Sequence, residues 1–123
     1  DRRLLHERHL VSRELAGLDG PHGVRTGAAL VVGERAGVMI NEEDHLRLQA
    51  LRSGFELPAA FEAAMQLDEA IGRRVPYAYH REFGFLTACP TNTGTGMRAS
   101  VLIHLPGLVL TKEIQKVLGG LQQ

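Results

Sequence analysis

The spacing of apolar and polar positions predicts strands in the middle of this chain and helices around them. Successive side chains of a strand point to opposite faces, so alternating apolar and polar residues favour a strand. The ranges 45–51 and 98–105 alternate in this way, and the ranges 28–32, 38–41 and 83–88 are predicted to be short strands as well. Gly33-Glu34-Arg35 is typical of a short hairpin between the first two strands. The glycine-rich residues 17–27 are predicted to form a loop, and Pro106-Gly107 to end the last strand.

Three segments are predicted to be helical because their apolar residues recur at a helical spacing. They are residues 1–16, residues 58–73, and the residues after Thr111, which would be the N-cap. Pro58 is favoured at a first helical position, and the side chains of this helix expected to be buried are Phe61, Ala64, Met65 and Ile71. The order of elements predicts an α+β fold, a mainly antiparallel sheet flanked by helices, in one domain over residues 1–123.

Composition narrows the class of protein. The 123 residues carry 14 basic and 14 acidic side chains, so there is no general electrostatic attraction to nucleic acid or to an anionic membrane. A lone cysteine excludes an internal disulfide and suits a reducing compartment. No apolar run approaches the roughly 18 residues of a membrane span, and the charged start is no signal peptide. We therefore predict a cytoplasmic protein without a nucleic-acid or membrane partner.

The polar faces of two predicted strands have the same character. His45 and Arg47 alternate with apolar residues in strand 45–51, and Arg98, Ser100 and His104 do so in strand 98–105. If both strands belong to one sheet, these side chains form a cationic surface beside the cysteine. Such a surface could bind a polyphosphate.

Two segments of the sequence contain the residues that could take part in catalysis or binding. Residues 41–47 are Asn-Glu-Glu-Asp-His-Leu-Arg, and residues 89–101 are Cys-Pro-Thr-Asn-Thr-Gly-Thr-Gly-Met-Arg-Ala-Ser-Val. A thiol, carboxylates and arginines are the groups needed to phosphorylate a guanidinium. Together the runs resemble the signature of the ATP:guanido phosphotransferases, or phosphagen kinases. Met39-Ile40 before the first run, and His104 where metabolic members tend to carry lysine, favour the bacterial protein-arginine kinase branch.

The resemblance implies a fold and also indicates how much of the family's catalytic domain this chain represents. It implies part of a phosphagen kinase catalytic domain, which is glutamine-synthetase-like. The chain is similar to the central portion of that domain. An upstream arginine segment, and a downstream loop with a further arginine and a second glutamate, are absent from it. We therefore expect the isolated chain to be inactive.

The resemblance also implies which residues handle the guanidinium. Arginine has a pKa above about 12, so an enzyme must bind the cation with carboxylates, orient one nitrogen and accept its proton. The family places the guanidinium-binding, proton-accepting glutamate at Glu43 and a thiolate that contacts the guanidinium at Cys89. The Thr91 hydroxyl and a nearby cation would favour that thiolate. The ordinary alternatives are a solvated acidic turn and a small buried apolar side chain.

The nucleotide contacts follow from the same resemblance. Phosphate-binding arginines match Arg47 and Arg98, and a nucleotide-contacting histidine matches His9. The segment that contacts the nucleotide partly through its backbone matches Arg98 and the next four residues, Ala99, Ser100, Val101 and Leu102. The implied cofactor is ATP with Mg²⁺ held through the nucleotide phosphates, and the remaining histidines lack metal-ligand spacing. The ordinary alternatives are surface ion pairs and a surface histidine.

The function implied is phosphorylation of arginine side chains in proteins. The partners implied are arginine-bearing protein substrates, including a stress-response repressor, together with a zinc-binding activator protein and the Clp-type protease machinery. A homodimer is left open. Two alternatives remain: a metabolic kinase for free arginine, and a non-catalytic module that binds arginine or phosphoarginine.

Overall fold

The helices and strands of this chain are seen in a computed structural model that describes residues 1–18, 27–34 and 36–121. They are α1 Arg2–Glu7, α2 Arg13–Ala16, β1 Ala29–Val32, β2 Ala36–Ile40, β3 Leu46–Ala50, α3 Leu57–Gly72, β4 Tyr79–His80, β5 Gly84–Phe85, α4 Pro106–Leu110 and α5 Ile114–Leu121. Most of the predicted loop 17–27, and Arg35 of the predicted hairpin, lie outside the described residues. The mixture of helices and antiparallel sheet confirms the predicted fold class.

Strands β1, β2 and β3 form one antiparallel sheet in chain order, close to the predicted ranges. Met39 of β2 lies opposite Leu30 on one side and Arg47 on the other. Directly opposed residues of antiparallel strands project from the same face. Leu30, Met39 and Arg47 therefore share a face of the sheet.

The core lies where the N-terminal helices cover that face. Met39 is 1% exposed, and the other members of its cluster are Val11, Leu15 and Ala16, with Leu5, Leu18, Ala28 and Leu30 packed around them. The single helix predicted for residues 1–16 is wrong. His9 has a positive φ of 57°, which ends the helical path, and Ser12 starts α2 by accepting a hydrogen bond from the Leu15 N–H at 3.2 Å.

Helix α3 begins at Leu57 with Pro58 in its first turn, which confirms the prediction of a helix start near Pro58. The predicted burial of its apolar side is wrong, because Phe61 is 49% exposed and Met65 is 37% exposed. Ala64 and Ile71 are half-buried. The helix contacts β3, an edge strand, so the three-stranded sheet covers a narrow strip of its surface.

A short hairpin of β4 and β5 follows, in place of the longer strand predicted over 83–88. The Phe85 ring lies edge-on to Tyr79 and Tyr77, at centroid distances of 5.2 Å and 6.1 Å. The Tyr77 hydroxyl donates to the Asp68 carbonyl at 3.2 Å, which ties the hairpin to α3. Burial, together with the neighbouring Asp68, raises the pKa of Tyr77 to about 12.

The strand predicted over 98–105 is wrong, since these residues have no regular secondary structure. A strand is held by a ladder of hydrogen bonds to a neighbour. Within the described residues, no backbone hydrogen bond reaches residues 98–104. Pro106 starts helix α4, where its missing N–H is not needed. Thr111 ends α4 by donating to the Gly107 carbonyl at 2.8 Å, so the predicted N-cap of α5 is also wrong.

Candidate active site

The turn between β2 and β3, residues 41–45, is named the carboxylate turn. Asn41 has a positive φ of 52°, and its N–H donates to the His45 carbonyl at 3.0 Å. Asparagine adopts this left-handed conformation more readily than most residues. The Asn41 side chain also donates to the Gly27 carbonyl at 3.2 Å. The asparagine of the motif therefore shapes the turn that presents the three acids after it.

The first two acids of the carboxylate turn differ in environment. The Glu42 side chain is 7% exposed, and its Oε2 accepts a hydrogen bond from the Glu43 N–H at 2.8 Å. The same oxygen lies 3.8 Å from Nη1 of Arg47. Glu43, by contrast, is exposed to solvent. Glu42 thus holds the backbone of Glu43 while leaving that side chain accessible to a ligand.

The third acid, Asp44, joins the two sequence motifs. Its Oδ1 accepts from the Cys89 N–H at 2.9 Å, and its Oδ2 accepts from the Asn92 amide at 2.8 Å. Partial burial alone would raise the pKa of Asp44. The hydrogen bonds from Cys89, Asn92 and the Ala88 backbone, with the charge of His45, outweigh burial and lower that pKa below 3.8.

Residues 86–93, named the cysteine loop, are closed at their base by a pair of backbone hydrogen bonds. The Phe85 N–H donates to Gly94 at 2.8 Å, and the Gly94 N–H donates back at 3.1 Å. Gly84 lies so close that an added Cβ would stand 2.3 Å from the Gly94 oxygen. Inside the loop the Thr87 and Thr93 hydroxyls are 3.0 Å apart.

The cysteine itself is fixed from several directions. The Cys89 carbonyl accepts from the Thr87 hydroxyl at 2.6 Å and from the Asn92 N–H at 3.0 Å. Its Sγ lies 3.0 Å from the hydroxyl oxygen of Thr91, as expected from a hydroxyl two residues on. Cys89 is half-buried, so the sulfur is held in place and still reachable.

Two of the predicted nucleotide residues lie near β3. Arg47 projects from β3 with its side chain 41% exposed. His9 lies nearby, because its carbonyl accepts a hydrogen bond from the side chain of Gln49. Gln49 is two residues from Arg47 on the same strand, so both project from one face. The assignment of His9 and Arg47 to the nucleotide stays a prediction.

The other predicted nucleotide residues, 98–102, are exposed and lie outside any sheet. In the part of the chain that the structure describes, Arg98 makes neither a hydrogen bond nor an ion pair. The prediction that Arg98, Ser100 and His104 share a sheet face with His45 and Arg47 is therefore wrong. Of the residues predicted to form the cationic surface, Arg47 lies in β3 and His45 in the turn before it.

Sequence reasoning missed the structural roles of Asn41, Glu42 and Asp44. All three belong to the motif of residues 41–47, and this position could have indicated that they matter for the site. The partners of Asp44 were not visible in the sequence, because they lie 45 and 48 positions away. Among the described residues, no group of three or more His, Cys, Asp or Glu could hold a metal ion. No helix in the same described ranges is long and apolar enough to cross a membrane.

Comparisons with known proteins show which family the chain belongs to. Residues 1–123 match the C-terminal catalytic domain of the ATP:guanido phosphotransferases. The protein-arginine kinases of Bacillus cereus (strain AH187) and Bacillus anthracis (strain CDC 684 / NRRL 3495) are each 49% identical over 99% of this chain and 33% of their own length. The chain thus spans about a third of the length of the curated relatives it matches.

A solved structure also matches, that of the duplicated taurocyamine kinase from Schistosoma mansoni with bound transition state analog components. Its TM-score is 0.60 at 28% identity, covering 77% of this chain and 14% of that chain. The chain belongs to the ATP:guanido phosphotransferase family, in the region of its C-terminal catalytic domain.

Proposed function

We propose that the full-length protein carrying this chain transfers the γ-phosphoryl group of ATP to arginine side chains of proteins. The observation that carries the proposal is the contact through Asp44, which brings the carboxylate turn and the cysteine loop together. An accessible carboxylate, Glu43, and a held thiol, Cys89, then lie on adjoining turns. Membership of the family and the names of the 49%-identical relatives support the same activity.

In this proposal Glu43 binds the guanidinium cation and accepts its proton as the P–N bond forms. The exposed position of Glu43, with its backbone held by Glu42, suits a group that must meet an incoming cation. Cys89 contacts the same guanidinium as a thiolate and orients it, and the Thr91 hydroxyl, 3.0 Å from the sulfur, is placed to donate a hydrogen bond to that thiolate. Phosphoryl transfer asks for little covalent chemistry from the protein, so alignment and charge neutralisation supply most of the catalysis.

The nucleotide side of the proposed site contains Arg47, Arg98 and the backbone of residues 98–102, with His9 beside β3. Two permanently charged guanidinium groups suit the phosphates of ATP, since each can make paired hydrogen bonds. Mg²⁺ would be held through those phosphates and would neutralise their charge. The guanidinium donors of Arg47 and Arg98 suit the phosphate groups through which Mg²⁺ would be held.

The proposed substrate is arginine within a protein rather than free arginine. The experiment is incubation of the full-length protein with ATP and either a folded arginine-containing protein or free arginine, with phosphoarginine measured by phosphorus NMR. We expect phosphoarginine only on the protein. Rapid turnover of free arginine would instead favour the metabolic kinase. Binding of arginine without turnover of either substrate would favour the non-catalytic module.

We also propose a cytoplasmic location and three partners: a stress-response repressor as substrate, a zinc-binding activator protein, and the Clp-type protease machinery. These follow from the family branch alone. Affinity purification of the tagged full-length protein from stressed cells, followed by mass spectrometry, tests them. Recovery of none of these three partners would contradict the proposed setting.

A further inference from the structure

We propose that Asp44 is a positioning residue that sets where Cys89 lies relative to Glu43. The inference rests on the proposed function, because it assigns both partners to the guanidinium. Asp44 directly follows Glu43 in the carboxylate turn, and both of its oxygens are bonded to the cysteine loop. One side chain thereby joins the two groups that would hold the substrate nitrogen.

The two bonds are of different kinds, and each restrains a different part of the cysteine loop. Oδ1 accepts from the backbone of Cys89, which fixes the peptide that carries the thiol. Oδ2 accepts from the side chain of Asn92, and the Asn92 N–H in turn donates to the Cys89 carbonyl. The Cys89 backbone is thus held at its N–H and at its carbonyl, and Asp44 acts on both.

The charge of Asp44 strengthens this connection. Hydrogen bonds to an ionised acceptor are roughly twice as strong as neutral ones. The lowered pKa of Asp44 keeps its carboxylate ionised at neutral pH, despite partial burial. His45, in the same turn, also lowers the pKa of Asp44 through its charge.

Small errors of placement have large effects on phosphoryl transfer. A displacement of about 1 Å by a residue away from the chemistry can lower the rate roughly 10²-fold. Loss of Asp44 leaves the base of the loop closed through Phe85 and Gly94 but removes the tie at its tip. The thiol then moves independently of Glu43, while the arginines that would bind ATP are not directly involved.

Three variants of the full-length protein test the inference. Asp44→Ala removes both bonds, and we expect kcat to fall roughly 10²-fold with KM for ATP changed less than about two-fold. Asn92→Ala removes one bond and should have an intermediate effect. Asp44→Asn keeps an acceptor for the Cys89 N–H, and the Asn92 amide can turn to accept from it. Activity should therefore fall less than in Asp44→Ala. Glu62→Ala, on the exposed side of α3, is the matched loss of a carboxylate.

Amide hydrogen exchange over the cysteine loop gives a readout that does not require activity. We expect exchange to rise about ten-fold or more in Asp44→Ala, to rise less in Asp44→Asn, which keeps the bonds without the charge, and to stay unchanged in α3 of both. Unchanged loop exchange in Asp44→Ala would overturn the inference, as would an Asp44→Asn variant as inactive as Asp44→Ala. If the wild type proves to phosphorylate no arginine, the proposed function fails, and the exchange result alone decides whether Asp44 holds the loop.

Discussion

The cysteine loop and the segment carrying Arg98 differ sharply in how they are held. The loop is closed by two backbone hydrogen bonds at its base and tied at its tip to Asp44. Residues 98–104 make no backbone hydrogen bond within the described residues, and Leu102 there is 81% exposed. The two regions lie only a few residues apart in the chain and would serve the same reaction.

The comparison teaches that the two halves of the proposed site depend on different kinds of structure. The guanidinium half consists of the carboxylate turn and the cysteine loop, which bond to each other and to the strands beside them. Threonine, asparagine and glycine suit such turns, because their side chains or backbone satisfy nearby polar groups. A strand cannot satisfy its backbone alone and exists only with a neighbour. Within the phosphate half, which comprises Arg47, Arg98 and the backbone of residues 98–102, Arg47 is held in β3, whereas the segment from Arg98 would need contacts outside itself, such as those to a nucleotide.

The largest expected effect comes from the guanidinium half. Glu43→Gln in the full-length protein should lower kcat by roughly 10²–10⁴-fold, because a general base is lost, while ATP affinity stays near wild type. Phosphoarginine assays and calorimetric titration with ATP measure the two quantities. Near-normal turnover in this variant would contradict the assignment of Glu43. Glu62→Ala serves as the control for loss of a negative charge.

The arginines should give a different pattern, because they would bind the phosphates in both ground and transition states. Arg98→Ala should weaken ATP binding and slow transfer together, each by roughly ten-fold or more, as expected for loss of charged hydrogen bonds. Arg47→Ala should weaken binding and slow transfer in the same way, and it also removes an ion pair with buried Glu42. The control is Arg73→Ala, which removes only an exposed pair with Glu69. Unchanged ATP affinity in Arg98→Ala would remove that residue from the phosphate half.

The base of the cysteine loop can be broken without touching any proposed catalytic group. Gly84 has a φ of 78°, and a Cβ there would approach the Gly94 backbone to 2.3 Å. Gly84→Ala should therefore reduce the free energy of unfolding by about 1–3 kcal/mol, measured by urea unfolding. Gly27→Ala is the matched control, because Gly27 also has a positive φ, of 89°, and nothing lies within 4 Å of its added Cβ. Equal stability of the two variants would argue against a close approach at the loop base.

The fold was predictable where the signal is local. Pro58 marked the start of α3, and alternation in strand 45–51 anticipated β3, since both features act through nearby residues. Residues 98–105 alternate in the same way, but alternation does not show whether a neighbouring strand is available to pair with them. The strand predicted there is therefore not formed. The break between α1 and α2 at His9 could not be predicted either, because a positive φ at a histidine does not change the spacing of apolar residues in 1–16.

The candidate site followed a similar division. Resemblance pointed to Glu43 and Cys89, and the structure brings their two turns together. Their chemical roles stay predictions. The tie through Asp44 could not be predicted, because it depends on how β3, α3 and the β4–β5 hairpin place two distant turns side by side. A single sequence carries no information about that distance.

The reactivity of the thiol gives a smaller and more local test. Thr91→Val removes the hydroxyl 3.0 Å from the Cys89 sulfur and keeps the size of the side chain. Because thiolate is the nucleophile, alkylation by iodoacetamide at about pH 7 should slow a few-fold. Thr95→Val, which alters a hydroxyl outside the cysteine loop, is the control. An unchanged alkylation rate in Thr91→Val would mean that the hydroxyl does not favour the thiolate.

The smallest expected effect is a pH dependence that distinguishes the tie at the tip of the loop from the closure at its base. The pKa of Asp44 is lower in the folded protein than its usual 3.8, so its stabilising contribution is complete above that value. The contribution is lost as pH falls through the lower, folded-state pKa. The difference in the free energy of unfolding between wild type and Asp44→Ala, measured by urea unfolding, should therefore shrink as the pH falls from about 5 to about 2.

Gly84→Ala loosens the same loop without removing a titratable group, so its difference from wild type should stay constant over that range. A constant difference for Asp44→Ala as well would show that its carboxylate does not hold the loop by charge.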